Sequence, residues 1–445
     1  MLTVGIDIGT TSVCVLFADA AAGETVRVVS RDNDAELSGA HPWERLQDPE
    51  RILEIVREQL RECSREWEAA AAVCVSCQMH GILYVDRRGS GVSPLYTWQD
   101  GRGDRRMPDG EITYAERLGA IAGRKLHSGY GLVTHFYNAR NGLVPSDAAS
   151  FCTIGDYVAM KLCGLSEPAI DPSNAAGFGL FSLEQLDFER KAVEAAGMDS
   201  SLLPRVVRDG GAIGRTPDGK TVVCAIGDNQ ASFLGAVSRP EGSLLVNVGT
   251  GSQISVYTDR CEKVAGLETR PFPGGGYLLV GAPLSGGKSY ALLKRFFQET
   301  CRAFGAEAGD RDFYGRMNEM AGQALTEGIE PLAFDTRFYG SRRDPSALGG
   351  VAGLSPQTFT PGHFAAGVLA GMADELTEYF RLLPEPLRAK LESAIGAGNG
   401  MRRNPVLQRL LREWLGLPLR LAAVEEEAAF GAAKRAAAGA GLLPR

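Results

Sequence analysis

A chain of 445 residues is too long for one ordinary hydrophobic core, so two domains of about two hundred residues each are expected. Its 44% hydrophobic and 23% charged composition is that of a globular protein, and a formal charge of −7 argues against nucleic acid or a membrane surface as the main partner. Nine cysteines, an odd number scattered through apolar segments, point to buried thiols in a reducing cytoplasm. Met1 leads straight into "LTVGIDIG" without a basic or long apolar leader, so no signal peptide is expected. No stretch approaches the ~20 apolar residues of a membrane span.

The first thirty residues read as strands. "LTVGIDI" is apolar, "GTTS" is a turn, and "VCVLFAD" and "TVRVVSR" alternate as half-buried strands do. Asp48 and Pro49 then open a helix through "ERILEIVREQLRECSREW", with Ile52, Leu53, Ile55, Val56 and Leu60 near one face. Strand character returns in "AAAVCVSCQMHGILYVD". Three hairpin-like strands, a helix and another strand predict the opening of a ribonuclease-H-like fold.

The pattern then repeats. "DIGTTSVCV" from Asp7 matches "NVGTGSQIS" from Asn247, an offset of 247 − 7 = 240 residues. Each copy is a strand, a polar residue, Gly-Thr, a small residue, Ser and a second strand. Two related domains follow, divided near "VSRPEG" into residues 1–238 and 239–445. A turn such as Gly9-Thr10-Thr11-Ser12 gathers N–H groups and hydroxyls into an anion site, and Gly249-Thr250-Gly251 would do the same. Either turn alone is an ordinary hairpin; the pair at a domain-sized interval favours polyphosphate binding. Asp7, at the end of a buried strand, needs a counter-charge that a hydrated Mg²⁺ would supply.

Several stretches carry two readings. Asp228, in "IGDNQASFLG", either caps the helix that starts there or accepts a substrate proton, and the stretch alone does not decide. Cys74 and Cys77 form one C-x-x-C, but no second pair exists and alternation aims the thiols at opposite faces. "APLSGGKS", residues 282–289, fits a permissive P-loop with Lys288 as its lysine and "PLAFD", ending at Asp335, as its magnesium strand. That reading leaves the repeat unexplained.

"GIDIGTTS", "CQMHG", "TWQDGRG", "GDNQAS", "NVGTGSQ" and "GAGNGMRRNP" occur in the order found in carbohydrate kinases of the FGGY family, which the chain resembles from Val4 to "EEEAAFGAA". The resemblance implies an α/β protein of two ribonuclease-H-like domains with the actin-like ATPase architecture, closing a cleft over ATP and a sugar. It implies Asp228 as general base and Asp7 as the residue that organises Mg²⁺. Gly9, Thr10, Thr11, Ser12, Gly249, Thr250 and Gly251 would hold phosphates. Gly286, Gly287, Gly398 and Asn399 would lie beside the nucleotide, although "GAGNG" is less glycine-rich than the usual segment. Gln78, Met79, His80, Trp98, Asp100, Arg102, Asp228 and Asn229 would meet the sugar, while Arg105 and Arg106 read as solvated charges. Among family members the blocks are most similar to those acting on sedoheptulose, with those acting on D-xylulose next. The partners implied are therefore a ketose and ATP, in the cytoplasm; a homodimer is left open. An actin-like ATP switch is the alternative of another class, and it does not require the blocks around Gln78 and Trp98.

Overall fold

A computed structural model of the protein describes residues 1–108, 110–284, 286–305, 312–329, 332–341, 344 and 346–443. These form two compact units, residues 1–235 with 270–276 and 426–445, and residues 236–269 with 277–425.

In the first unit, β1 (Leu2–Ile8), β2 (Ser12–Asp19) and β3 (Glu24–Asp32) form an antiparallel meander. Helix α1 (Pro49–Glu62) starts as expected: the Asp48 carboxylate accepts the N–H groups of Glu50 and Arg51, and Pro49 takes the first position. It stops earlier than expected. Cys63 leaves the helical conformation, and a separate short helix, Ser64–Ala69, follows. Strand β4 (Ala70–Cys77) pairs parallel to β1 and ends before Gln78. The expected continuation through "ILYVD" instead joins a different sheet, where Leu83–Asp86 pairs with Ala148–Cys152. After α2 (Ile154–Cys163), β5 (Thr221–Gly227) pairs parallel to β4 and runs directly into α3 (Asp228–Ala236). The order β3-β2-β1-β4-β5, three antiparallel strands and then two parallel, is the ribonuclease-H-like arrangement.

Strand parity divides the sheet. Val4, Ile6, Ile8, Val73, Val75 and Cys77 face α1 and α2 in one core, where they meet Ile52, Val56 and Val158. Ala72, Cys74, Val223 and Ile226 face the other way. Cys74 and Cys77 therefore lie in different cores, as alternation requires.

The second unit repeats the plan at the same offset. β6 (Ser243–Val248) and β7 (Ser252–Thr258) form the hairpin, and β8 (Tyr277–Gly281) completes the meander. Helices α4 (Gly287–Ala303), α5 (Phe313–Ala324) and α6 (Pro361–Leu382) follow. β9 (Ser393–Ala397) pairs parallel to β6, and after α7 (Pro405–Leu415) β10 (Leu419–Leu421) pairs parallel to β9.

The last helix, α8 (Glu427–Gly439), packs on the first unit although it ends the chain. It covers the Ala72 and Cys74 face, burying Ala432 and Ala436 there. Glycine lets the backbones touch. A Cβ on Gly5 of β1 would sit 1.8 Å from the Ala429 oxygen, and one on Gly431 would sit 1.8 Å from the Ala231 oxygen of α3. A Cβ on Gly235 would sit equally close to the Glu427 oxygen. Lys434 then donates to the Leu234 carbonyl at 2.7 Å, satisfying an end group of α3. Gly431→Ala is therefore expected to cost about 3 kcal/mol or more, since backbone on both sides cannot yield. Gly322→Ala in α5, with its nearest neighbour 3.8 Å away, should stay within about 1 kcal/mol and favour stability. Urea titration of both variants checks the contrast.

Candidate active site

The parallel strands β1, β4 and β5 end at one edge of the first sheet, the usual place for a site in such folds. Asp7 and Ser76 share the face that α3 and α8 cover, because they alternate with Ile6, Ile8, Val75 and Cys77. The Ser76 hydroxyl donates to Asp7 Oδ1 at 2.7 Å. Burial raises the Asp7 pKa to about 7; the Ser76 hydrogen bond opposes this, and the charges of Asp228 and Glu426 add to it. Three carboxyl groups thus converge electrostatically on one edge.

Asp228 is the first residue of α3, and its Oδ1 accepts the Asn229 N–H at 2.7 Å. A helix cap accepts from the second or third N–H onward, so this contact with the very next residue is not a cap. Burial raises its pKa, and the positive charge of Arg270 opposes that rise. Arg270 had no signal in the sequence: it is a lone arginine in "LETRPFPGGGY". The segment 270–276 nevertheless joins the first unit. There Pro271 accepts from Gln230 Nε2 at 3.1 Å, Phe272 meets Phe233 edge to face, and Arg270 Nη1 lies 3.9 Å from the Met79 sulfur.

Around the first hairpin tip, long-range polar contacts converge. Asn33 Nδ2 donates to the Gly9 carbonyl and Gln47 Nε2 to the Thr10 carbonyl, each at 2.9 Å, and the Asn33 N–H donates to the Thr11 carbonyl. In a planar trans peptide the next N–H points the opposite way, so the Thr10 and Thr11 N–H groups are directed away from these partners. Gln78 donates to Gln47 at 2.8 Å and accepts from the Thr10 hydroxyl at 3.3 Å. The Trp98 indole N–H donates to the same hydroxyl at 3.0 Å while the ring stays 45% exposed. Gln78 and Trp98, expected at a sugar, are therefore bonded directly to Thr10, expected at a phosphate.

His80 adopts φ 77°, a conformation uncommon outside glycine. Its Nδ1 lies 2.8 Å from the Gly177 carbonyl, which can only accept, so Nδ1 carries the proton. The ring stacks on Tyr130. Met79 and Asn229 are buried beside Gly227 and Asp228. Asp100 and Arg102 are placed differently from the hydroxyl contacts expected of them. They are 1% and 2% exposed, and Asp100 accepts from Arg102 Nε at 2.7 Å and from the Arg45 N–H at 3.1 Å. Arg102 also donates to Asn138 and lies 4.0 Å over the Tyr96 ring. This geometry makes the pair the frame of the loop that presents Trp98. Arg105 and Arg106 are exposed, as expected.

In the second unit a cavity of about 840 Å³ is lined by Gly249, Thr250, Gly287, Lys288, Asn399 and Arg403, among others. Gly286 and Gly287 allow α4 to abut the second hairpin, since a Cβ on either would lie within 2.4 Å of its backbone. Gly398, at φ 81°, packs on Asn247 and Val248. The P-loop pattern does not describe this helix. Its first N–H groups, on Gly287 and Lys288, donate to the Gly249 and Thr250 carbonyls at 3.0 Å, so they are not turned to an anion. Asp335 pairs with Arg337, with Nε to Oδ1 at 2.8 Å, and Ser285 and Pro331 of the two segments lie outside the described residues.

Residues 2–235 match the N-terminal domain of the FGGY family of carbohydrate kinases, and residues 244–440 match its C-terminal domain. The chain belongs to the FGGY family of carbohydrate kinases. It is accordingly a phosphotransferase that acts on a sugar hydroxyl. The sedoheptulokinase of Mus musculus is 28% identical over 97% of this chain and 96% of its own length. A xylulose kinase of Streptomyces rubiginosus is 29% identical over 58% of this chain and 55% of its own. In fold, the gluconate kinase of Lactobacillus acidophilus superposes with TM-score 0.84 at 19% identity, covering all of this chain and 90% of that one. A xylulose kinase of Rhodospirillum rubrum gives 0.83 at 24%, covering 99% of this chain and 90% of that one. Among the described residues no helix is long and apolar enough to cross a membrane.

The sheet edge that carries Asp7 offers a cation few protein ligands. Among the described residues no three His, Cys, Asp or Glu side chains gather around one point, so a cation there would take Asp7 and draw its other ligands from water and phosphate. Without one, the folded state keeps the Asp7 proton to about pH 7, whereas the unfolded chain releases it near 3.8. The folded state then binds more protons between those values, so this group's contribution makes stability fall as pH rises through that window. Asp7→Asn should raise the Tm of the metal-free protein at pH 8 by a few degrees and change it little at pH 4. Thermal scans at the two pH values check this, and an unchanged or lower Tm at pH 8 would contradict it.

Proposed function

We propose that the protein transfers the γ-phosphoryl group of ATP to a primary hydroxyl of a ketose, with sedoheptulose as the acceptor and D-xylulose as the second candidate. The observation that carries this reading is the connected cluster in the first unit, in which Gln78 and Trp98 bond to the same Thr10 hydroxyl at the hairpin tip. A sugar held by the first two would lie beside a phosphate held by the third. The choice of sedoheptulose is supported by relatives of that name that align over nearly the whole chain.

In this reading Asp228 is the general base. A sugar hydroxyl is a weak acid, and a carboxylate whose proton affinity is raised by burial, with the charge of Arg270 opposing that rise, suits it as proton acceptor. Phosphoryl transfer otherwise asks for alignment and neutralised charge. Gly9, Thr10, Thr11 and Ser12 form the phosphate-binding turn of the first unit, and Gly249, Thr250 and Gly251 form that of the second. Gly287, Asn399 and their neighbours receive the nucleoside, and Gly286 and Gly398 shape the backbone around it. Gln78, His80, Trp98 and Asn229 meet the sugar, with Met79 packing beneath them and Asp100 and Arg102 holding the loop. Asp7 would hold Mg²⁺, which when bound neutralises charge on the phosphates.

Two measurements test this. In a coupled ATP assay over ketoses, polyols and aldoses, sedoheptulose should give the highest kcat/KM. Preference for glycerol or an aldose would overturn the acceptor, and ATP turnover indifferent to every sugar would favour a nucleotide switch. Asp228→Asn should lower kcat at least about a thousandfold while sugar binding survives. Near-normal turnover would remove Asp228 from its role.

A further inference from the structure

Lys288 is left unexplained by both the P-loop pattern and the family resemblance. It is the second residue of α4, and its backbone N–H donates to the Thr250 carbonyl at 3.0 Å, while Gly287 donates to the Gly249 carbonyl. Two consequences follow from these bonds. The Thr250 and Gly251 N–H groups, each opposite a carbonyl across a planar peptide, point away from the helix. The Lys288 backbone is also fixed against the hairpin tip, and the residue lines the same cavity as Gly249, Thr250, Asn399 and Arg403.

The charges of that cavity favour an anion. Among the described residues its cations are Lys288 and Arg403, and the one carboxylate, Asp312, is engaged in capping α5, where it accepts the Gly315 N–H at 2.9 Å. The Lys288 ammonium rests 4.0 Å over the Tyr339 ring. Burial lowers its pKa, and the nearby charge of Glu375 opposes this. An ammonium held by a ring face gains more from a phosphate oxygen, because a hydrogen bond between two charged groups is shorter and stronger.

We infer that Lys288 binds a phosphoryl group of the nucleotide, beside the N–H groups of the second hairpin tip. This rests on the reading of the protein as an ATP-dependent kinase. Lys288 performs the neutralising task of a P-loop lysine by a different route: its helix end is bonded to a hairpin, and the side chain alone reaches the anion.

Calorimetric titration with ADP and with adenosine tests the assignment in the full chain. Lys288→Met should weaken ADP at least about tenfold and leave adenosine within about twofold, and Lys288→Arg should restore most of the ADP affinity. Lys288→Gln, which keeps length and polarity, should behave as Lys288→Met and guards against a methionine variant that fails to fold. Equal ADP affinity in the wild type and the neutral variants would overturn the role of Lys288 while leaving the kinase reading in place. An equal loss for ADP and adenosine would also overturn it, assigning Lys288 to the shape of the cavity. A wild-type protein that bound neither ligand would overturn both.

Discussion

The first unit depends on one close contact, the packing of α8 against β1 and α3 without side chains between the backbones. Gly5, Gly235 and Gly431 stand where a methyl group would collide with a carbonyl oxygen at 1.8 Å. Their absence of Cβ sets the distance between three elements, and those elements carry the three interacting acids. Asp7 ends β1, Asp228 starts α3, and Glu426 immediately precedes α8. Helices held apart by side chains slide when one of those side chains is exchanged; helices in backbone contact have no such freedom. An active site that needs its groups placed within about half an ångström gains from being built on such a contact.

The two hairpin tips use a second constraint, the planarity of the peptide. In the first unit the tip's carbonyls are held by Asn33 and Gln47; in the second they are held by the start of α4. The partners are unrelated, one set being side chains and the other a helix end, yet the result is the same. With each carbonyl fixed on one side, the following N–H is fixed on the other, and a turn becomes a directed set of donors. The repeated sequence specifies the turn. The orientation is supplied by whatever each half places behind it.

Local and periodic features were legible in the sequence. The offset of 240 residues between Asp7 and Asn247 reappears as the offset between β1 and β6, because both mark the same strand position. Asp48 and Pro49 start α1 where their chemistry places them, and the parity of Cys74 and Cys77 sends them to opposite cores. What failed to show was whatever depends on residues far apart in the chain. Asp100 and Arg102, read as hydroxyl contacts, turn inward because Arg45 and Asn138 close around them. Gln47 orients the first tip from 37 positions away. The return of α8 to the first unit is written in glycine spacing whose partners lie at the other end of the chain. Arg270 is reached only because the chain leaves the second unit for seven residues and comes back.

That excursion bears on how a buried carboxylate is tuned. Burial alone makes a carboxylate a stronger proton acceptor by making its charged form costly, and pushed far enough it leaves the group protonated and useless as a base. A cation in direct contact has the reverse fault: it keeps the charge but lowers the affinity for a proton. Arg270 lies against the Met79 sulfur, which itself packs on Gly227, the residue before Asp228. The positive charge of Arg270 moderates the effect of burial on Asp228 without abolishing it. Asp7 lacks such a neighbour among the forces that shape its titration, and its pKa rises to about 7. Two aspartates on one sheet edge therefore differ in what opposes burial: at Asp228 it is the charge of Arg270, and at Asp7 it is the hydrogen bond from Ser76.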